Sequence, residues 1–256
     1  MTESVILPTR KDEAWRYSDT DALAGMDFGR FDDWREIDVP AGETFRDCII
    51  VEDESGVSDE TLLTRLRVKV GKGARCELFA VIASGRLGRV ETVVVLEEGA
   101  HFEFGGVTVG GRETTREFVT RVVHEQPAAT SNQVIRAVHW GQGTGNFLGR
   151  IDCVRDAQKT DAAQDFKGLL LEKGASVNAV PQLEIFADDV KCAHGATVGQ
   201  LDESARFYMA ARGLSPELAR KLLVRAFLGD AFVALDDEAE SERLMDLALS
   251  KLDAHL

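Results

Sequence analysis

Two residues with metal- and sulfur-binding side chains, Cys192 and His194, stand two positions apart in PQLEIFADDVKCAHGATVGQLDESARFYMAARG, residues 181–213. The stretch opens with the texture of a strand, and in a strand residues i and i+2 project to the same side. A thiolate beside an imidazole is a donor pair for soft or borderline metals. A closed metal site takes about four ligands, so this pair is half of one. Either a partner chain completes the set or the metal is held only in transit. Val190 shares the face, and a face turned into a core is the competing reading, which local chemistry alone favours.

The remaining reactive side chains form no comparable group. Cys48, Cys76 and Cys153 lie in apolar contexts, make no C-x-x-C pair with one another or with Cys192, and read as reduced core thiols. His101, His124 and His139 read as hydrogen-bonded strand or loop residues. Gly141-Gln142-Gly143-Thr144-Gly145 has the glycines of a phosphate cradle but neither the following Lys-Ser/Thr nor a helix signal, so it reads as a loop between strands. No motif for ATP and no nucleophile elbow is present.

These residues must be held by elements that the rest of the chain supplies. With 256 residues, 44% of them hydrophobic and 29% charged, the sequence is ordinary for a globular protein with a sizeable core. A formal net charge of -14 argues against nucleic acid as a partner. The acids gather at Asp236 to Glu242 and around Glu52 to Glu54, which read as solvated faces or loops. Nothing approaches a membrane-spanning run or a signal peptide, so a cytoplasmic location is expected.

Residues 1–58 read as an N-terminal segment, with a short helix expected over Thr9 to Leu23 and a turn-rich acidic stretch after it. From 59 to 200 short Val/Leu-rich runs alternate with glycine. VKVGKGA, VVVLEEGA and LLLEKGA are variants of one phrase, an apolar run followed by a polar turn and Gly-Ala. Gly73 and Gly99 are 26 positions apart, and Gly99 and Gly174 are 75 apart, close to three such steps. A repeat of about 25 residues built from short strands fits a parallel β-helix, and a β-sandwich is the alternative. Residues 201–256 read as a helical domain. Asp202 caps a first helix ending at Gly213, and Ser215-Pro216-Glu217 starts a second, with Leu218, Leu222, Ala226 and Phe227 as its apolar stripe. A third spans about Glu238 to Leu252.

Pro181 to Gly199, together with FYMAARGL at Phe207 to Leu214, resembles the signature block of the SufB/SufD family of the SUF iron–sulfur cluster assembly system. Phe147 to Gln164 is similar to the family's last coils, and LPTRKDEAWRY at Leu7 to Tyr17 to the SufD N-terminal segment; that opening and the HGAT form at His194 favour SufD. The resemblance implies a mainly β protein, a right-handed parallel β-helix followed by a small helical domain. It implies a non-enzymatic scaffold that pairs with a SufB-like chain and binds a SufC-like ABC-type ATPase. No permanently bound cofactor is implied; a transient iron–sulfur cluster is expected at the subunit interface, with His194 as ligand and Cys192 beside it. The ATPase-binding segment falls on Arg212, Gly213, Leu214, Ala219, Leu222 and Phe227. SufD-like chains are longer, so fewer coils are expected here, and a homodimeric, purely structural adaptor is the alternative.

Overall fold

In the computed structural model, described over residues 7–24, 26, 28–52 and 60–253, the strands run β1 Arg35–Val39, β2 Thr44–Val51, β3 Thr61–Val70, β4 Arg75–Ile82, β5 Leu87–Leu96 and β6 His101–Gly110. They continue as β7 Thr115–His124, β8 Thr130–His139, β9 Thr144–Cys153, β10 Asp161–Leu170, β11 Ser176–Ile185 and β12 Lys191–Gly199. All odd-numbered strands form one parallel sheet in the order β1-β3-β5-β7-β9-β11, and all even-numbered strands form the other. Chain that alternates between two parallel sheets and advances by one strand per turn is a β-helix, as the repeat and the resemblance led us to expect.

The solenoid starts earlier than residue 59. β1 and β2, inside the segment read as N-terminal, pair with β3 and β4. Acidic residues interrupt both strands, as in REIDV and TFRDCIIV, which hid their alternation. The expected helix over Thr9 to Leu23 is instead two 3-10 turns, Glu13–Trp15 and Thr20–Leu23. Of the two acidic clusters, Asp237 caps a helix and Glu52 pairs with Lys251, whereas Glu54 lies outside the described residues.

The glycine phrase marks corners, but of two kinds. The corner that follows odd strands carries positive φ at Gly42, Gly73, Gly99, Ala128 and Lys159; the corner that follows even strands carries it at Gly85, Arg112, Gly141 and Gly174. A full coil therefore takes between 26 residues, the step from Thr61 to Leu87, and 32, the step from Thr144 to Ser176. Gly99 and Gly174 lie on opposite corners, separated by five half-coils rather than three whole ones. One strand plus one turn is the repeating phrase, so a match in sequence does not reveal which corner it occupies.

Inside the solenoid the early coils are apolar, with Leu66, Val68, Val70, Leu78, Val94, Phe102, Phe104 and Phe118 in one buried cluster. Later coils admit polar groups: His124 faces Ser131 (Nε2 to Oγ 3.0 Å), His139 faces Thr108 (Nε2 to Oγ1 3.1 Å), and Thr120 donates to Gln133 Oε1 at 2.6 Å. With His101 Nδ1 at 2.7 Å from Thr130 Oγ1, His101, His124 and His139 are all hydrogen-bonded strand residues, as read from the sequence.

The even sheet is covered on its outer face as well. Helices α2 Glu203–Ala211, α3 Pro216–Gly229 and α4 Glu238–Asp253 follow the last strand, after a short α1 at Phe28–Phe31. Phe79, Val81, Val107, Val109 and Val138 pack outward against Val224, Leu228, Phe232, Leu244 and Leu249. Burial on both faces explains why β4 ends in the continuous apolar run LFAVI. Caps expected at Asp202 and Ser215 are formed, onto the backbone N–H groups of Ser204 and Leu218, and Gly213 has φ 86°.

Candidate functional site at the open end of the solenoid

β12 pairs with β10 and with no other described strand, so one side of its backbone is an edge. In register, Ala162 stands beside Cys192, Gln164 beside His194, Phe166 beside Ala196 and Gly168 beside Val198. Phe166 belongs to the solenoid core and Gln164 is 2% exposed, so Cys192, His194, Ala196 and Val198 occupy interior-facing positions. In the terminal coil no further coil covers them. His194 through Gly199 are all exposed and Cys192 is half-buried. Ile185 and Phe186, at the end of the other edge strand, are exposed as well.

The expected shared face of Cys192 and His194 is therefore real, and it is both a core face and an open one. Cys192 turns into a small apolar cluster with Ile151, Cys153, Ala162 and Leu183, and its Sγ lies 3.7 Å from that of Cys153. Burial pushes the Cys153 thiol up to about 12 and raises that of Cys192. His194 extends a column formed by Gln133 and Gln164, one residue per coil. Both side-chain polar atoms of Gln164 are buried without a hydrogen-bond partner. Among the described residues no group of three or more His, Cys, Asp or Glu side chains could hold a metal ion. The chain thus presents here one accessible imidazole and one recessed thiol, fewer donors than a closed metal site takes.

Gln164 escaped the sequence reading. Its signal was distance: it precedes His194 by 30 positions, one coil, and only a counted repeat reveals that. Cys153 was read as a core thiol, and it is fully buried, as is Cys76; Cys48 is half-buried and faces outward beside Glu240.

The helical residues separate into a surface and its support. Arg212, Gly213 and Leu222 are exposed, Leu214 and Phe227 are half-buried, and Ala219 is buried. Ala219 therefore supports a surface rather than forming it. The buried side of α3 is Ala219, Val224 and Leu228, while Leu218, Leu222 and Ala226 face outward. The stripe read from the sequence thus mixes two faces, because both are apolar. α2 has no buried residue and exposes Phe207 at 77% and Tyr208 at 59%.

The SUF system FeS cluster assembly, SufBD core domain model matches residues 48–227, which takes in β3 to β12, α2 and nearly all of α3. The chain belongs to the SufBD family. Similar proteins include the iron–sulfur cluster assembly protein SufD of Escherichia coli (strain K12), 36% identical over 49% of this chain and 30% of its own length. SufD of Bacillus subtilis (strain 168) is 27% identical over 77% of this chain and 45% of its own. Protein ABCI7, chloroplastic, of Arabidopsis thaliana is 36% identical over 59% of this chain and 32% of its own. This SufBD chain thus matches less than half the length of each of these relatives. No helix among its described residues is long and apolar enough to cross a membrane.

Proposed function

We propose that this SufBD-family chain is a non-enzymatic scaffold subunit for iron–sulfur cluster assembly, joined to a SufB-like chain through its β11–β12 end and to an ABC-type ATPase through α2 and α3. The observation that carries the reading is His194: an interior-facing ligand residue on an uncovered edge strand. An edge strand presents unpaired N–H and C=O groups that invite a further strand. A partner coil stacked there would cover Val198, Ile185 and Phe186 and bring its own donors to His194. The nascent cluster is cargo, held by the imidazole and by donors of the partner, with the Cys192 thiol recessed behind.

Force from the ATPase would reach this end through the fold. α3 and α4 are fused to the outer face of the even sheet by a continuous apolar cluster. Arg136, buried between sheet and helices, donates to Asp165 Oδ2 at 2.6 Å and Asp230 Oδ2 at 3.1 Å. Movement of the helices thus carries the solenoid with it, and the subunit boundary is the place that opens.

Co-expression of the tagged chain with SufB-like and SufC-like subunits, followed by weighing the intact complex, tests the assembly. A three-component complex is expected, and His194→Ala should leave it intact while lowering cluster formation. Recovery of the chain only as a homodimer, or full cluster assembly by His194→Ala, would instead favour a structural adaptor without metal chemistry.

A further inference from the structure

Cys153 closes β9 in one sheet and Cys192 lies near the start of β12 in the other, 39 residues later. The coil brings their sulfurs to 3.7 Å, inside a cluster whose other members are Ile151, Ala162 and Leu183. Neither is in a disulfide. Their environments differ in a useful way. Cys153 is fully buried, whereas Cys192 is half-buried on an edge strand that solvent reaches. One residue is thus partly reached by solvent and the other is held beside it. Cys76 lies among the early-coil core residues and Cys48 on the outward face near Glu240, in different surroundings from this pair.

The geometry points to Cys153 and Cys192 as a dithiol modification site, converted by peroxide into an intrachain disulfide that ties the terminal strand to the coil beneath it. Cys192 thiolate attacks hydrogen peroxide, the O–O bond breaks, and hydroxide leaves as Cys192 becomes the sulfenic acid. The Cys153 sulfur then attacks the Cys192 sulfur, the S–O bond breaks and water leaves. In sum two thiols lose two electrons and two protons, and one peroxide becomes two waters. The bond would pin β12, which has β10 alone as a strand neighbour, and withdraw the Cys192 sulfur from any ligand. It stands on the thiol geometry and holds whether or not the chain carries a cluster.

The test is oxidation of the full chain. Reduced protein is exposed to hydrogen peroxide, quenched, alkylated under denaturing conditions and mapped by mass spectrometry. The expected product is a Cys153–Cys192 linked peptide lighter by two hydrogens, with Cys76 still alkylated. Cys153→Ser, which removes the resolving sulfur, should drive Cys192 on to sulfinic acid, and Cys192→Ser should yield no linked peptide containing Cys153. The wild-type map decides the matter even if the buried serine unfolds the first variant. Sulfinic acid at Cys192 of the wild-type chain without a linked peptide would overturn the proposal. So would a Cys192–Cys192 link between chains, or four alkylatable thiols at a peroxide dose that fully oxidises free cysteine.

Discussion

Gln164 and His194 are neighbours in one ladder: the two residues pair in register between β10 and β12, both on the interior face, and Gln164 has no hydrogen-bond partner for either side-chain polar atom. Adjacent parallel strands lie about 4.8 Å apart, so the amide sits one rung beneath the imidazole. A metal-bound histidine is usually oriented by donating its other ring N–H to an oxygen acceptor, and on the reading proposed for His194 the unpartnered Gln164 carbonyl oxygen belongs to its register neighbour.

A buried amide without partners costs about 1–3 kcal/mol. Gln164→Met, close in volume and apolar, should therefore raise the stability of the free chain by about 1 kcal/mol, read as a higher urea midpoint. The same change should lower iron retention by the assembled complex about tenfold, while Gln164→Glu, which keeps an acceptor, should not. A Met variant that is both less stable and fully active in assembly would remove Gln164 from the site.

Beneath the N-terminal segment, Glu117 Oε1 accepts from Arg89 Nη1 at 2.8 Å and from Ser18 Oγ at 2.7 Å, and its Oε2 accepts from Asn146 Nδ2 at 3.0 Å. Arg89 also donates to Ala14 O and lies 3.8 Å from the centre of the Trp15 ring, and both members of the ion pair are almost fully buried. Removing one partner strands a buried charge, at a cost of about 3–5 kcal/mol. Glu117→Leu should lose about that much and expose residues 7–24 to protease. Arg89→Met combined with Glu117→Leu should recover most of the loss, because no unpaired charge remains. A double variant as unstable as the sum of the two single changes would show that the pair is not the anchor.

What the sequence made legible was whatever repeats or caps. Gly73 and Gly99 announce corners because the chain there must take a positive φ that other residues resist, and Asp202 and Ser215 announce helix starts because their oxygens accept from free N–H groups. The coil count was not legible, since a strand-turn phrase fits either corner and Ala128 and Lys159 fill corner positions without glycine. The site was half legible. Type and spacing revealed Cys192 and His194, but Gln164 and Cys153 come from other coils, and only the register brings them there. Polar interior residues such as Arg116 were invisible, because alternation identifies two faces and does not say which one is inside.

His124 and His139 set a pH dependence. Burial pushes His124 down to about 4; burial and the nearby Arg116 cation push His139 down to about 3. Both are neutral when folded and titrate near 6.5 when unfolded. The unfolded chain therefore takes up protons first, so this contribution to stability is complete above about pH 6.5 and is lost as pH falls toward the folded values. The loss is roughly 2 kcal/mol per histidine between about pH 6.5 and 5. Urea midpoints measured across that interval should fall less steeply for His139→Gln than for the parent. Equal slopes would mean that the carboxylates govern the acid limb.

The outward face of α3 and the whole of α2 allow the proposed docking to be tested apart from folding. Leu218, Leu222, Phe207 and Tyr208 are exposed apolar side chains on adjoining helices, while Val224 and Leu228 hold α3 to the sheet and Ala219 is buried. Substitutions at exposed positions usually change stability by less than about 0.5 kcal/mol, whereas loss of an apolar anchor from an interface weakens binding by about tenfold or more. Leu222→Glu and Phe207→Ser should therefore leave the urea midpoint unchanged and reduce capture of the ATPase subunit at least about tenfold. Ala219→Asp, which forces a charge into a buried site of α3, should unfold the helical region and lose capture for that different reason. The two effects are told apart by circular dichroism, which only the Ala219 variant should alter. Undiminished ATPase capture by Leu222→Glu and Phe207→Ser together would move the docking surface off these helices.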